Sequence, residues 1–176
     1  MFKFLLITAF LSVLNVCIAQ NEDDSGKTLE EKYEWRIRQE SLFGTYIPKD
    51  INEAILVLTK LSDAQSKQKF KAMSESDACQ KLFFSLGRWM SYNWSFYEGS
   101  RLSVYLQELG IHHPDNMSRF LIVLFHRSLS NQPLEVKELV TAFINLESKS
   151  KEEKLKGGTV IYQEKKKLAK PSSGNN

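Results

Sequence analysis

Apolar residues recur along this 176-residue chain at the spacing of α-helices, with few stretches that alternate as strands do. Ile51, Ala54, Ile55, Leu58 and Leu61 repeat at the 3.6-residue period. Asp50 and Glu53 stand as a cap pair before them, so a helix is expected over 51–61. Thr28 and Glu31 have the same cap spacing, and Leu29, Tyr33, Ile37 and Glu40 carry a first helix to about Ser41. Between the two, Tyr46-Ile47-Pro48-Lys49-Asp50 reads as an extended approach, because the residue before a proline is pushed out of the helical region. Ser62 with Gln65 opens a shorter lysine-rich helix ending near Met73. Ser74 with Asp77 opens a longer one, in which Ala78, Leu82, Leu86, Trp89 and Met90 share a face as far as about Tyr92.

Ser100 restarts a helix through Leu102, Tyr105, Leu106 and Leu109, and Gly110 stops it as a left-handed C-terminal residue. His113-Pro114-Asp115-Asn116 begins another, with Pro114 suited to the first helical position and Asp115 well placed against the helix dipole. Met117, Phe120, Leu121, Ile122, Val123, Leu124 and Phe125 make it apolar almost all round, which marks a central buried helix. After the turn Ser130-Asn131-Gln132-Pro133, a last amphipathic helix runs through Val136, Leu139, Val140, Phe143, Ile144 and Leu146, and the pattern dissolves after Ser148. Residues 158–162 have strand character, with no second strand evident to pair with them. The expected fold class is all-α: a compact bundle of about five to six helices around a central buried helix, spanning 28–148, with a flexible C-terminal tail.

The N-terminus follows a different logic. A short basic start at 1–3 precedes an apolar run at 4–13, and the small residues Cys17 and Ala19 occupy the positions that a signal peptidase reads. Residues 1–19 are therefore expected to be a secretory signal peptide cleaved near Ala19, followed by a polar linker at 20–27. The apolar run is shorter than the roughly 20 residues of a membrane span, so no transmembrane segment is expected after its removal. Loss of Cys17 leaves Cys79 as the only cysteine, so the exported domain has no internal disulfide and is held by packing. Cys79 is then a buried small hydrophobe or a free thiol able to link to another chain.

The net charge of +3 divides unevenly. Residues 149–170 hold eight lysines against three glutamates, a balance of +5, and residues 1–148 sum to −2. A slightly acidic body argues against a nucleic-acid-binding domain, whose positive charge belongs on the folded surface. The lysine-rich tail, 149–176, is expected to be solvated and disordered, with at most weak contact with anionic surfaces.

Candidate chemistry concentrates at 83–97, where seven of fifteen positions are aromatic against 11% for the whole chain. Such a cluster is a packed corner of the core or a stacking platform for a sugar or an extended partner. Asn93 lies among these aromatics, and Gly99-Ser100-Arg101 follow them. The candidate binding residues are accordingly Trp89, Asn93, Trp94, Arg101 and Arg127. Titratable candidates are few: His113, His126 and Asp115, with His112 adjoining. Asp115 and His126 share a helix face but stand roughly 16 Å apart along the axis, too far to touch. Neither His112 nor His113 has a further ligand at metal-binding spacing, so no metal is expected. No Gly-x-Ser-x-Gly elbow or Gly-rich phosphate loop is present, and no cofactor is expected.

The stretches Tyr46-Ile47-Pro48-Lys49-Asp50, Leu86-Gly87-Arg88-Trp89-Met90, Asn93-Trp94, Gly99-Ser100-Arg101-Leu102-Ser103, Gly110-Ile111-His112-His113-Pro114-Asp115-Asn116-Met117-Ser118 and His126-Arg127 follow in an order and spacing that resembles DUF6794. This is a bacterial family of uncharacterised domains, and the resemblance covers about residues 45–130. Arg101, His113, Asp115, His126 and Arg127 are the positions that match its motif. The chain departs from the family pattern at Phe83-Phe84-Ser85, where that pattern has His-Phe-Gly, and near Ser91, where it has an arginine. The resemblance implies no activity, cofactor or partner. Function is therefore expected from the residues alone: a non-enzymatic module that binds a protein or glycan partner through the 89–101 patch. The alternative is a hydrolase or transferase with His113 or His126 as general base and Arg101 holding an anion.

Overall fold

The computed structural model describes residues 26–156. The expected signal peptide, most of the linker, the strand-like 158–162 and the rest of the tail past Lys156 lie outside the described residues. Helix α1 (Leu29–Arg36) starts at a capping box, with Thr28 and Glu31 each bonding the other's backbone. It buries none of its residues and stops at Arg36, short of the expected Ser41. A small antiparallel hairpin, not anticipated from the sequence, takes over. Strand β1 (Ser41–Leu42) pairs with β2 (Thr45–Tyr46), Ser41 opposite Tyr46 and Leu42 opposite Thr45. The two connecting residues, Phe43 and Gly44, have φ of +49° and +78°. Positive φ at both positions is what a two-residue hairpin needs to match the strand twist. The hairpin displaces the helix end because it buries Leu42 and Ile47, which a continued surface helix would leave exposed.

The remaining elements are helical, and side chains set most of their boundaries. Helix α2 (Ile51–Leu61) is capped by Asp50, and its Ile51, Ala54 and Leu58 face inward. Helix α3 (Ala64–Lys71) is capped by Asp63, one residue later than expected, and inserts Phe70 into the core. Helix α4 (Glu75–Leu82) begins at Ser74 and passes through a π-helical turn (Phe83–Gly87) directly into α5 (Arg88–Asn93). Helix α6 (Arg101–Glu108) opens at a Ser100–Ser103 capping box, and Gly110 at φ +102° lies just beyond its end. Helix α7 (Pro114–Leu129) has His113 as its N-cap and Pro114 in its first turn. Helix α8 (Val136–Lys156) runs past Ser148, where a disordered tail was expected to begin. Its extension at 149–156 is built of Lys, Glu, Ser and Leu, mostly good helix formers, with Lys156 and Glu152 paired at 3.8 Å.

The core is arranged around α7, in which Met117, Ser118 and every residue over 120–126 are buried. Helices α2, α3, α4, α5, α6, α8 and the π turn all pack on it. The fold is thus mostly α-helical, as the periodicity implied. The crossing of the α4–α5 stretch on α7 uses small residues: a Cβ on Gly87 would lie 3.4 Å from Ile122 and 3.6 Å from Ser118, and the Ser91 and Ser118 hydroxyls bond at 2.7 Å. Leu121 is fully buried in this core, whereas Leu146 on α8 is 59% exposed. Leu121→Ala is expected to lower the unfolding free energy by about 2–5 kcal/mol, through lost burial plus a residual cavity. Leu146→Ala should cost under about 0.5 kcal/mol. Urea denaturation of the two variants tests this, and equal losses would mean that α7 is not the centre of packing.

Candidate functional site

The segment at 83–97 divides its aromatic rings between two environments. Phe83, Gly87, Met90 and Trp94, at helical intervals, point inward and are buried. Trp94 is wholly enclosed, with its Nε1 unpartnered, and Trp89 is half-buried against it, edge to face at 5.6 Å between centroids. Phe96 packs beside Trp94 at 6.2 Å. Of the two indoles proposed from sequence as a stacking platform, Trp94 thus has no face open to a ligand. Asn93 turns its amide back to donate to the Trp89 carbonyl at 2.9 Å.

Arg101 and Arg127 are structural ties. Arg101 donates through Nε to the Ile47 carbonyl at 2.8 Å, lies 5.1 Å over the Tyr46 ring, and stands 3.6 Å from Glu40 and 3.9 Å from Glu53. It fastens α6 to the hairpin and to the start of α2. Glu53 is the hub of that junction: its carboxylate accepts from Tyr46 Oη at 2.7 Å and from the Lys49 backbone at 3.0 Å, and it pairs with Lys49 Nζ at 3.1 Å. Arg127 grips Glu75 with two bonds, Nε at 2.7 Å and Nη2 at 3.1 Å, and donates through Nη1 to the Leu134 carbonyl at 2.9 Å. This joins the first turn of α4 to the end of α7 and to the approach to α8. The adjacent Glu75 carboxylate pushes the Arg127 guanidinium pKa further up.

The histidines sit at opposite ends of α7 with separate partners. His113 accepts the Asp115 backbone N–H on Nδ1 at 3.2 Å, and Glu147 of α8 receives the backbone N–H groups of His112 and His113 and the Asn116 side-chain amide. His126 is buried against Phe70, its Nε2 facing the Met73 carbonyl at 3.0 Å, while its Nδ1 has no partner. Asp115 accepts a bond from Tyr97 Oη at 2.5 Å, which raises the Tyr97 phenol pKa. Arg101, His113 and His126 are therefore not brought together. Among the described residues no cluster of three His, Cys, Asp or Glu side chains could hold a metal ion, and no helix is long and apolar enough to cross a membrane. Cys79 is a half-buried free thiol whose pKa is raised by desolvation.

What the structure does assemble is an open groove of about 910 Å³ on the outer side of the α4–α5 rod. Phe84, Arg88 and Tyr92, four residues apart on the solvent face, form one wall. Phe43 at the hairpin tip contributes from one segment and Tyr97 from the loop before α6, and Asn93, Glu98 and Asp115 also line it. The four rings are strongly exposed: Phe43 87%, Phe84 71%, Tyr92 85% and Tyr97 65%. The loop carrying Tyr97 is pinned by α1. Arg36 donates two bonds to the Glu98 carbonyl, at 3.0 and 2.6 Å. Gly99, at φ +97°, leaves the Tyr33 ring the space that a Cβ would take. The outward stripe Phe84, Arg88, Tyr92 is readable in the sequence as an i, i+4, i+8 series, but the part played by Phe43 is not.

Fold and site together define a small, mostly helical domain with an aromatic groove. Residues 47–129 match the family model described as a domain of unknown function, DUF6794, the family that the motifs resemble. The match runs from the end of the hairpin to the end of α7, and so takes in every groove aromatic except Phe43. No curated protein and no solved structure matches the chain.

Hydrogen bonds from Tyr46 and the Lys49 backbone hold the Glu53 carboxyl at a pKa of about 2, down from 4.5. A carboxyl lowered on folding stabilises the fold above its unfolded pKa and loses that contribution as pH falls through its folded one. Glu53→Gln should thus be less stable than the natural protein at neutral pH, with the gap closing between pH 4.5 and about 2. Urea midpoints of both proteins across that range provide the check, and a gap independent of pH would remove Glu53 as the hub of the hairpin junction.

Proposed function

We propose that the protein is exported and acts as a non-enzymatic binding module, with the aromatic groove as its binding surface. One observation carries this reading: four exposed aromatic rings from three separated segments of the chain converge on a single groove. Leaving apolar area in water forgoes about 25 cal/mol per Å² of burial, and contiguous exposed patches on soluble proteins mark interaction sites.

Binding is favoured over the hydrolase or transferase alternative by the partners of the titratable groups. General acid–base catalysis requires an acid or base within hydrogen-bond reach of a reacting group. His126 is enclosed, His113 caps its own helix, and Arg101 is bonded to Ile47 and flanked by Glu40 and Glu53. None of the three lines the groove. The export half of the proposal rests on residues 1–19, whose basic start, apolar run and small residues at 17 and 19 suit a cleaved signal. The lysines at 149–170 would add only a weak attraction to anionic surfaces.

Both halves are open to direct test. N-terminal sequencing of the protein recovered outside the cytoplasm of its source cell should begin at Gln20, and a chain that keeps Met1 and stays in the cytoplasm would exclude export. The double variant Phe84→Ala/Tyr92→Ala should melt within a few degrees of the natural protein, since both rings are exposed. Its retention on the envelope fraction of the source cell should fall about tenfold or more. Undiminished retention would move the binding surface elsewhere.

A further inference from the structure

We infer that the groove takes a neutral oligosaccharide, an assignment that rests on the groove being the binding surface. The chemistry of its lining argues for that class. Tyr92, Phe84, Tyr97 and Phe43 present ring area to solvent, and the π face of an aromatic ring carries partial negative charge. The C–H face of a pyranose is flat, apolar and weakly positive, and it stacks on such a surface. The same groove is lined by side chains with flat, forked polar ends: the Arg88 guanidinium, the Asn93 amide and the Asp115 carboxylate. The Arg88 fork can engage two neighbouring hydroxyl groups, which is how vicinal diols are gripped, while Asn93 and Asp115 each offer one remaining oxygen. Capacity remains at these groups. The Arg88 guanidinium makes no hydrogen bond or ion pair among the described residues, its backbone N–H being engaged in the rod. Asn93 commits Nδ2 to Trp89 and keeps its oxygen, and Asp115 commits Oδ1 to Tyr97 and keeps Oδ2.

The same lining disfavours other occupants. Arg88 is offset by Asp115 and Glu98, so the groove lacks the one-sign field that a polyanion or polycation would need. A peptide added as a strand requires an open sheet edge of useful length, and each strand of the hairpin has two residues. A helical peptide requires a continuous apolar floor, whereas Arg88, Asn93, Glu98 and Asp115 share this lining with the rings. The groove is open rather than enclosed, and at about 910 Å³ it lies near the upper end of the 300–1,000 Å³ of ligand sites, with room for several linked sugars.

The test is titration of the processed protein with cellohexaose, maltohexaose, xylohexaose, mannohexaose and N-acetylchitohexaose, read by calorimetry and by backbone amide NMR shifts. At least one should bind, with shifts confined to the hairpin tip, residues 83–98 and Asp115. That affinity should be insensitive to added salt, because the ligand carries no charge. Tyr92→Ala should weaken it about tenfold, while Tyr92→Phe, which keeps the ring, should retain it. No response of the groove amides to any of the five sugars overturns the assignment. A groove that ignores them but responds to a random peptide pool, or to a hyaluronan hexasaccharide with steep salt dependence, also overturns it while leaving the binding surface intact. Sugar-induced shifts located away from the groove overturn both.

Discussion

Helix α7 has almost no polar face, so it can exist in water only when other elements enclose it. Its buried run at 120–126 includes two phenylalanines, two leucines, an isoleucine and a valine. Each large apolar side chain taken out of water contributes about 1.5–3 kcal/mol, more than any single surface ion pair in this fold can supply. Packing therefore sets the architecture, and polar ties fix where the ends fall. The Arg127–Glu75 fork holds the C-terminal end of α7 to α4, and Glu147 of α8 collects three N–H donors at its N-terminal end. No disulfide is required by such a scheme, and the one cysteine among the described residues is free.

The same enclosure sorts the aromatic residues. The α4–α5 rod crosses α7 at Gly87 and Ser91, where small side chains allow close approach. Whatever faces that crossing is buried, as Phe83, Met90 and Trp94 are, and whatever lies on the far side faces solvent, as Phe84 and Tyr92 do. The π turn at 83–87 makes that separation sharp: Phe83 is buried beneath the Arg119 guanidinium, 3.8 Å from its ring, while Phe84, the next residue, is 71% exposed. The hairpin tip and the loop ending at Gly99 then add Phe43 and Tyr97 to the same groove. Helix α1, which buries nothing itself, serves to hold that loop through Tyr33 and Arg36.

Much of the helical framework is legible in the sequence because its determinants are local. The caps at Thr28, Asp50, Ser74 and Ser100, Pro114 in the first turn of α7, and Gly110 beyond α6 each act within one turn of the residue concerned. The all-round apolarity of α7 announces its burial in the same way. The hairpin is not legible, since its strands are two residues long and its turn places a phenylalanine where glycine or asparagine is usual. Roles that depend on distant partners are equally hidden. Arg101 meets Ile47, 54 positions away, and Arg127 meets Glu75, 52 positions away, so both read from sequence as available cations and are in fact committed. Aromatic density at 83–97 marks the segment that supplies most of the rings lining the groove. Only the helical phase against α7 decides that Trp94 belongs to the core and Tyr92 to the groove.

That division of the aromatic rings is the claim on which the proposed binding surface rests, and hydroxyl-radical footprinting read by mass spectrometry measures it directly. Tyr92, Tyr97, Phe84 and Phe43 should oxidise rapidly in the folded protein, while Trp94, Phe120 and Phe125 stay protected until it unfolds. Oxidation of Trp94 at the rate of Tyr92 would contradict the division, because it would place in solvent the ring that the packing around α7 encloses.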